Sequence, residues 1–139
     1  MRKGPFAGNQ VGVGLLWAAL LSGCATQVPV ADEEVVRPRA QAWLDALMAY
    51  DIEGAYAFTP PAYQSAHSYQ AYSKHYAGRG MWTGAELDTI LCDDGTEFGR
   101  CKVVYLVTYR GFNMTREQTR QLTEVWVKIE GEWYTSISR

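Results

Sequence analysis

Hydrophobic positions along this chain change period twice, and each change marks a different kind of element. Residues 11–21, "VGVGLLWAALL", form an uninterrupted apolar run with no charge. Residues 25–35, "ATQVPVADEEV", are short of large apolar side chains and carry Pro29 and three acids. Beyond them Trp43, Leu44, Leu47 and Met48 fall at helical spacing, which predicts a helix over residues 38–50 with one apolar face. Asp51 is placed to cap a short second helix over 52–58 by accepting from a free backbone N–H, and Thr59-Pro60-Pro61 ends it. Ser68 then precedes Tyr69, Tyr72 and Tyr76, spaced three and four apart, and Gly78 is expected to close this segment as a left-handed stop.

After Gly80 the period becomes two. In "KVVYLVTYR" Val103, Tyr105, Val107 and Tyr109 share one face, with Val104 and Leu106 on the other. In "QLTEVWVKIE" Val125, Val127 and Ile129 share a face, with Glu124, Trp126 and Lys128 opposite. Residues 110–121, "RGFNMTREQTRQ", read as a long exposed hairpin loop, and Gly131-Glu132 turns the chain into a closing strand, "WYTSIS". Helices first and an antiparallel meander afterwards predict an α+β domain, with N-terminal helices packed on a curved antiparallel sheet.

The apolar run at the front is too short to span a bilayer well, which takes about 20 residues. Behind Arg2 and Lys3 it fits the core of a secretory signal. Its end, "LSGC" at residues 21–24, resembles the lipobox of bacterial lipoproteins. That resemblance implies removal of residues 1–23, thioether lipidation of Cys24 and acylation of the new amino terminus. Three chains, at about 0.8 kcal/mol per buried methylene, make such an anchor effectively permanent. By resemblance to enterobacterial lipoprotein sorting, in which an Asp after the cysteine favours inner-membrane retention, Ala25 implies the outer membrane with the domain in the periplasm. Residues 24–35 then read as a lipidated tether averaging on the order of 20 Å, and residues 36–139 as the domain.

The formal net charge is −2 and becomes more negative once Arg2 and Lys3 are removed. Such a chain, without a basic run, is not expected to bind nucleic acid. With Cys24 lipidated, Cys92 and Cys101 are left as a pair in an oxidising compartment. They bracket "DDGTEFGR", whose Asp94-Gly95 is a turn signal between two strand-like runs, so a disulfide across a hairpin base is expected. On the chain-entropy account, closing a loop of about ten residues contributes roughly 2–3 kcal/mol. A metal site is the rival reading, but two cysteines with no nearby His or second pair suit zinc poorly.

The order of a long first helix, "YDIEGAYAF", a third helix and a sheet ending in "VWVKIEGEWYTSI" resembles the nuclear transport factor 2-like (SnoaL-like) superfamily over about residues 36–138. That resemblance implies a cone-shaped, cystatin-like fold with an internal pocket. Enzymes of the superfamily place a carboxylate or histidine in the pocket, with tyrosines polarising a carbonyl. The corresponding candidates are Asp51, His75 and Asp88, with Tyr50, Tyr56, Tyr72, Tyr105 and Tyr109. Asp51 is better explained as a cap and Asp88 as the solvent side of a strand. His67 and His75 lie eight residues apart and do not share metal-ligand spacing on a helix. No catalytic residue, metal site or cofactor motif is named on these grounds.

The nine Tyr and five Trp are the compositional feature that bears on function. Amphipathic rings fill a small core, and Tyr72, Tyr76, Tyr105 and Tyr109 are also candidates to line a pocket for a small apolar molecule. The expectation is a lipid-anchored, non-catalytic binding or assembly module with aromatic walls and no general base. One alternative is an isomerase- or dehydratase-type enzyme. The other is an immunity- or inhibitor-like lipoprotein binding one protein partner through an exposed sheet face near Trp126. A homodimer through the sheet is a further expectation.

Overall fold

The computed structural model describes residues 30–93 and 99–137, together with Gly4. Cys24, the signal and the Asp94-Gly95 turn lie outside the described residues. The remainder is α+β: helices α1 (Asp32–Met48), α2 (Ile52–Tyr56), α3 (Pro61–Ala66) and α4 (Tyr69–Ser73) lead through a 3₁₀ segment (Lys74–Met81) to strands β1 (Trp82–Cys92), β2 (Arg100–Tyr109), β3 (Gln118–Ile129) and β4 (Glu132–Ser136). The four strands form one antiparallel sheet in the order β1-β2-β3-β4.

Helix α1 starts six residues before the predicted 38, so residues 32–35 of the expected tether are helical. Asp32, Glu33 and Glu34 fill its first turn, where negative charge complements the helix dipole. Asp32 also pairs with Lys128 of β3 at 3.1 Å, and Val36 is already fully buried. Pro38 is accommodated within the helix. At the other end Tyr50 takes a left-handed φ of 61°, with its N–H on Leu47 and that of Asp51 on Ala46. This is a Schellman stop with tyrosine where glycine is usual. Asp51 caps α2 as expected, accepting from Gly54 N at 2.8 Å, and Ser68 caps α4 by accepting from Ala71 N at 3.3 Å.

The Tyr69–Tyr76 segment departs from the expected single helix. It leaves α-helical geometry after Ser73 and runs on as 3₁₀ to Met81. Gly78 does not supply a left-handed stop; among the described glycines that conformation belongs to Gly131, at φ 85°. With Glu130 at φ 51°, Gly131 makes the two-residue turn between β3 and β4.

Residues paired across strands share a face, and the register therefore assigns every side of the sheet. Val103, Tyr105 and Val107 of β2 are buried against the helices. Their β3 partners are Glu124, Leu122 and Arg120, and Cys101 faces Trp126. Trp126 is fully buried, which overturns the exposed sheet face expected around it. Two register shifts in β1 keep Ala85, Leu87 and Ile90 opposite Val107, Tyr105 and Val103, as bulges do where a strand bends. The outer face carries Val104, Leu106, Val125 and Val127, all half-buried, and Ile129, exposed. Strand β3 also begins at Gln118 and takes the last four residues of the expected loop, because its pairing with β2 continues through Thr119 and Gln118.

Cys92 and Cys101 are cross-strand partners and are joined by a disulfide, their Cα atoms 3.9 Å apart. At the same end Gly99 accepts from Lys128 N at 2.8 Å, and a Cβ there would meet Trp133 at 2.8 Å. Arg39 fastens α1 to β4: its Nε donates to Trp133 O at 2.8 Å and its guanidinium pairs with Glu132 at 3.2 Å. The core is aromatic, with Trp43, Tyr72, Tyr105, Trp126 and Trp133 all essentially inaccessible.

Candidate functional site

Trp43 is the hub of that core. Its ring lies 5.2 Å from Tyr105 and 5.7 Å from Tyr76, and it meets Trp126 edge-on at 6.5 Å. Its indole N–H donates to the Tyr72 hydroxyl at 2.9 Å, and Tyr105 reaches Ala40 O at 3.4 Å. Burial pushes the phenols of Tyr72 and Tyr105 far above their ordinary range, so both stay protonated. This region is closed, and its tyrosines have partners inside the protein.

One turn along, the setting changes. Tyr76 packs on Tyr72 at 5.2 Å between ring centres, but its hydroxyl donates to Glu124 Oε1 at 3.2 Å. Glu124 stands on the inner face of β3, half-buried, because its neighbour Val125 points outward. Burial disfavours the carboxylate and pushes its pKa up to about 7, with the Tyr76 hydrogen bond acting in the opposite direction. Near neutrality Glu124 is therefore divided between acid and carboxylate.

Tyr76 and Glu124 form part of the wall of a cavity of about 220 Å³ between the 3₁₀ segment and β3. His75, Arg79 and Arg120 complete its polar lining, and Trp82, Leu122 and Ile137 its apolar lining. The Arg79 guanidinium lies 4.6 Å over the Tyr50 ring, and its Nε and Nη1 are buried without a hydrogen-bond partner. Those two atoms are closed off from solvent, so they reach an anionic oxygen in the cavity only if the side chain turns. Arg120 rests 5.3 Å over Tyr109.

The sequence-predicted residues are thus divided. Tyr72 and Tyr105 are core residues, Tyr76 reaches the cavity, and Tyr109 sits at the end of β2 with its hydroxyl on Gln118 Oε1 at 3.3 Å. Tyr69 is 41% exposed, so the tyrosine stripe does not turn inward as a whole. Asp51 caps α2, and Asp88 is exposed and accepts from Thr89. Aromatic walls were expected; beside Tyr76 and Trp82 the cavity wall also carries the carboxyl of Glu124. Arg120 was hidden in a predicted loop, and Glu124 in a strand face whose direction the alternation alone does not give. Among the described residues no three His, Cys, Asp or Glu side chains gather as a metal site, and no helix is long and apolar enough to cross a membrane.

No protein-family model and no curated protein matches the chain. Among solved structures it is similar to a SEC-C motif containing protein from Rhodopseudomonas palustris, at 18% identity and a TM-score of 0.49, over 76% of this chain and 75% of that one.

Proposed function

We propose that this chain is a lipid-anchored envelope protein whose domain, of nuclear transport factor 2-like architecture, holds a small carbonyl acid in the Glu124 cavity and exchanges a proton with it. The observation that carries this reading is Glu124 itself: a carboxyl titrating near 7, hydrogen-bonded to Tyr76 and facing open volume. A general base works best when its pKa lies near the working pH, and a group so perturbed in a cleft is a functional candidate on physical grounds. Arg79 and Arg120 bring positive charge to the same wall, which favours the ligand carboxylate and the developing enolate oxygen. In the proposed step the C–H bond beside the carbonyl breaks, its proton passes to the Glu124 carboxylate, and the electron pair moves onto the carbonyl oxygen. Return of a proton to carbon regenerates the acid or its isomer.

The test is solvent exchange. Pyruvate incubated with the protein in D₂O is expected to lose its methyl proton signal faster than in buffer, and Glu124→Gln is expected to abolish the gain. Binding without exchange would favour the second reading, a non-catalytic binding module, for which the Tyr76–Glu124 bond serves only to hold the cavity wall. The anchor is proposed on the lipobox alone; a Cys24→Ser protein that still fractionates with membranes would remove it. A homodimer would use the outer face around Val125, Val127 and Ile129, and sedimentation of the full chain tests it.

A further inference from the structure

A second cavity, of about 500 Å³, is lined by Tyr63, His67, Ala71 and Lys74 together with His75 and Ile137. The last two residues also line the Glu124 cavity, so the two volumes adjoin across one imidazole and one isoleucine. Their chemistry differs. The first is bounded by a carboxyl, a phenol and two guanidinium groups. The second presents the stacked pair Tyr63–His67, with ring centres 4.5 Å apart and planes at 30°. Ala71 gives it a small, flat stretch of helix, and Lys74 an exposed ammonium. Flat rings accept a third flat ring by offset stacking or edge contact, and a lysine beside such a stack is attracted to an electron-rich ring face.

The third cavity lies among Gly84, Ala85, Glu86, Leu106 and Thr108, away from Glu124. The outer sheet face mixes half-buried apolar residues with Arg100, Lys102 and Gln121, and among the described residues nothing covers it.

We infer that the second cavity is a subsite for the body of the ligand, and that the ligand is an aromatic keto acid whose acid and carbonyl enter beside Glu124 while its ring lies against Tyr63 and His67. This rests on the reading of the first cavity as the site of proton exchange. The division explains why two pockets of unlike chemistry share a partition: His75 and Ile137 would flank the short link between head and ring. A head-only acid fills the first cavity and leaves the second to water. An acid carrying a ring displaces that water and buries the ring, an area that corresponds to a gain of about tenfold or more in affinity.

The experiment compares pyruvate with phenylpyruvate on the full-length protein, by calorimetric titration and by proton exchange in D₂O. Phenylpyruvate is expected to bind about tenfold more tightly than pyruvate. Ala71→Trp, which fills the second cavity, is expected to erase that preference. Lys74→Ala, at an exposed position, is expected to weaken phenylpyruvate selectively and stands in if the tryptophan variant does not fold. Equal affinities for the two acids, or a preference that survives both substitutions, would overturn the subsite while leaving proton exchange at Glu124 standing. A preference that responds to Ala71→Trp without any exchange would keep the subsite and remove the proposed reaction. Failure of both acids to bind would overturn both.

Discussion

Tyr72 and Tyr76 are one helical turn apart, pack on each other, and end in opposite situations. The Tyr72 hydroxyl accepts the Trp43 N–H inside a fully buried cluster. The Tyr76 hydroxyl donates to a carboxyl at the edge of open volume. Burial raises both phenols, and the two hydroxyls also hydrogen-bond to each other, so neither differs in charge near neutrality; what differs is the further partner. A neutral N–H makes the first pair a fixed strut. A carboxyl with a pKa near 7 makes the second pair a proton reservoir. Closed aromatic packing and an open polar cavity are thus built from the same stripe, and the division between them falls between consecutive turns.

The largest effect should come from breaking the closed side. Trp43 touches Tyr76, Tyr105 and Trp126 and bonds Tyr72, so Trp43→Ala removes the common contact of helices and sheet. A fully buried Trp replaced by Ala is expected to destabilise the domain by about 3–5 kcal/mol. Urea unfolding followed by tyrosine fluorescence measures it. A loss below about 1 kcal/mol would mean that Trp43 is not the hub.

The open side should show itself through pH. Glu124 has a folded pKa of about 7, above its ordinary value of 4.5, so the folded state binds the proton more tightly than the unfolded chain does. Its contribution to stability is fully present below about 4.5 and is lost as pH rises through 7. At about 1.4 kcal/mol per pH unit of difference, the decline is on the order of 3–4 kcal/mol. Glu124→Gln is expected to flatten that part of the curve and to stabilise the domain at pH 8 relative to the parent. Denaturant midpoints from pH 4.5 to 8 decide it; an unchanged slope in the variant would place the titration elsewhere.

The two sides were not equally legible in the sequence. The alternation in β2 located Val103, Tyr105 and Val107 on one buried face, because a strand with one face against helices repeats every second residue. Asp51 was found as a cap because that chemistry is local. The disulfide followed from the parity of the cysteines. In β3 the outward residues Val125 and Val127 are as apolar as core residues, and the inward ones include Arg120, Glu124 and Lys128. Polarity therefore points the wrong way there, and only the pairing of Glu124 with Val103 reveals its direction. The start of β3 was hidden for a related reason: "TREQTRQ" has no apolar residue to mark a strand, and it is held by its ladder with β2. Residues that carry a polar cavity break the pattern by which elements are recognised.

The smallest stability effect and the sharpest contrast come from removing each hydroxyl in turn. Tyr72→Phe leaves the buried Trp43 N–H without its acceptor, a loss expected to cost about 1–3 kcal/mol while Glu124 keeps its hydrogen bond from Tyr76. Tyr76→Phe removes a donor from a carboxylate that has the cavity beside it, and water there can replace part of the bond; its stability cost is expected to stay below about 1 kcal/mol. Its signature is the proton. Donation from Tyr76 lowers the Glu124 pKa against the upward push of burial, so without it the carboxyl should titrate above 7. Carboxyl carbon chemical shifts followed by NMR across pH 5 to 9 resolve the two variants. A Tyr76→Phe protein in which Glu124 titrates lower, or a Tyr72→Phe protein that shifts it just as far upward, would dissolve the distinction between strut and reservoir. If the distinction holds, proton exchange with a bound carbonyl acid should slow in the Tyr76→Phe protein at pH 7, because a smaller share of Glu124 is then in the basic form.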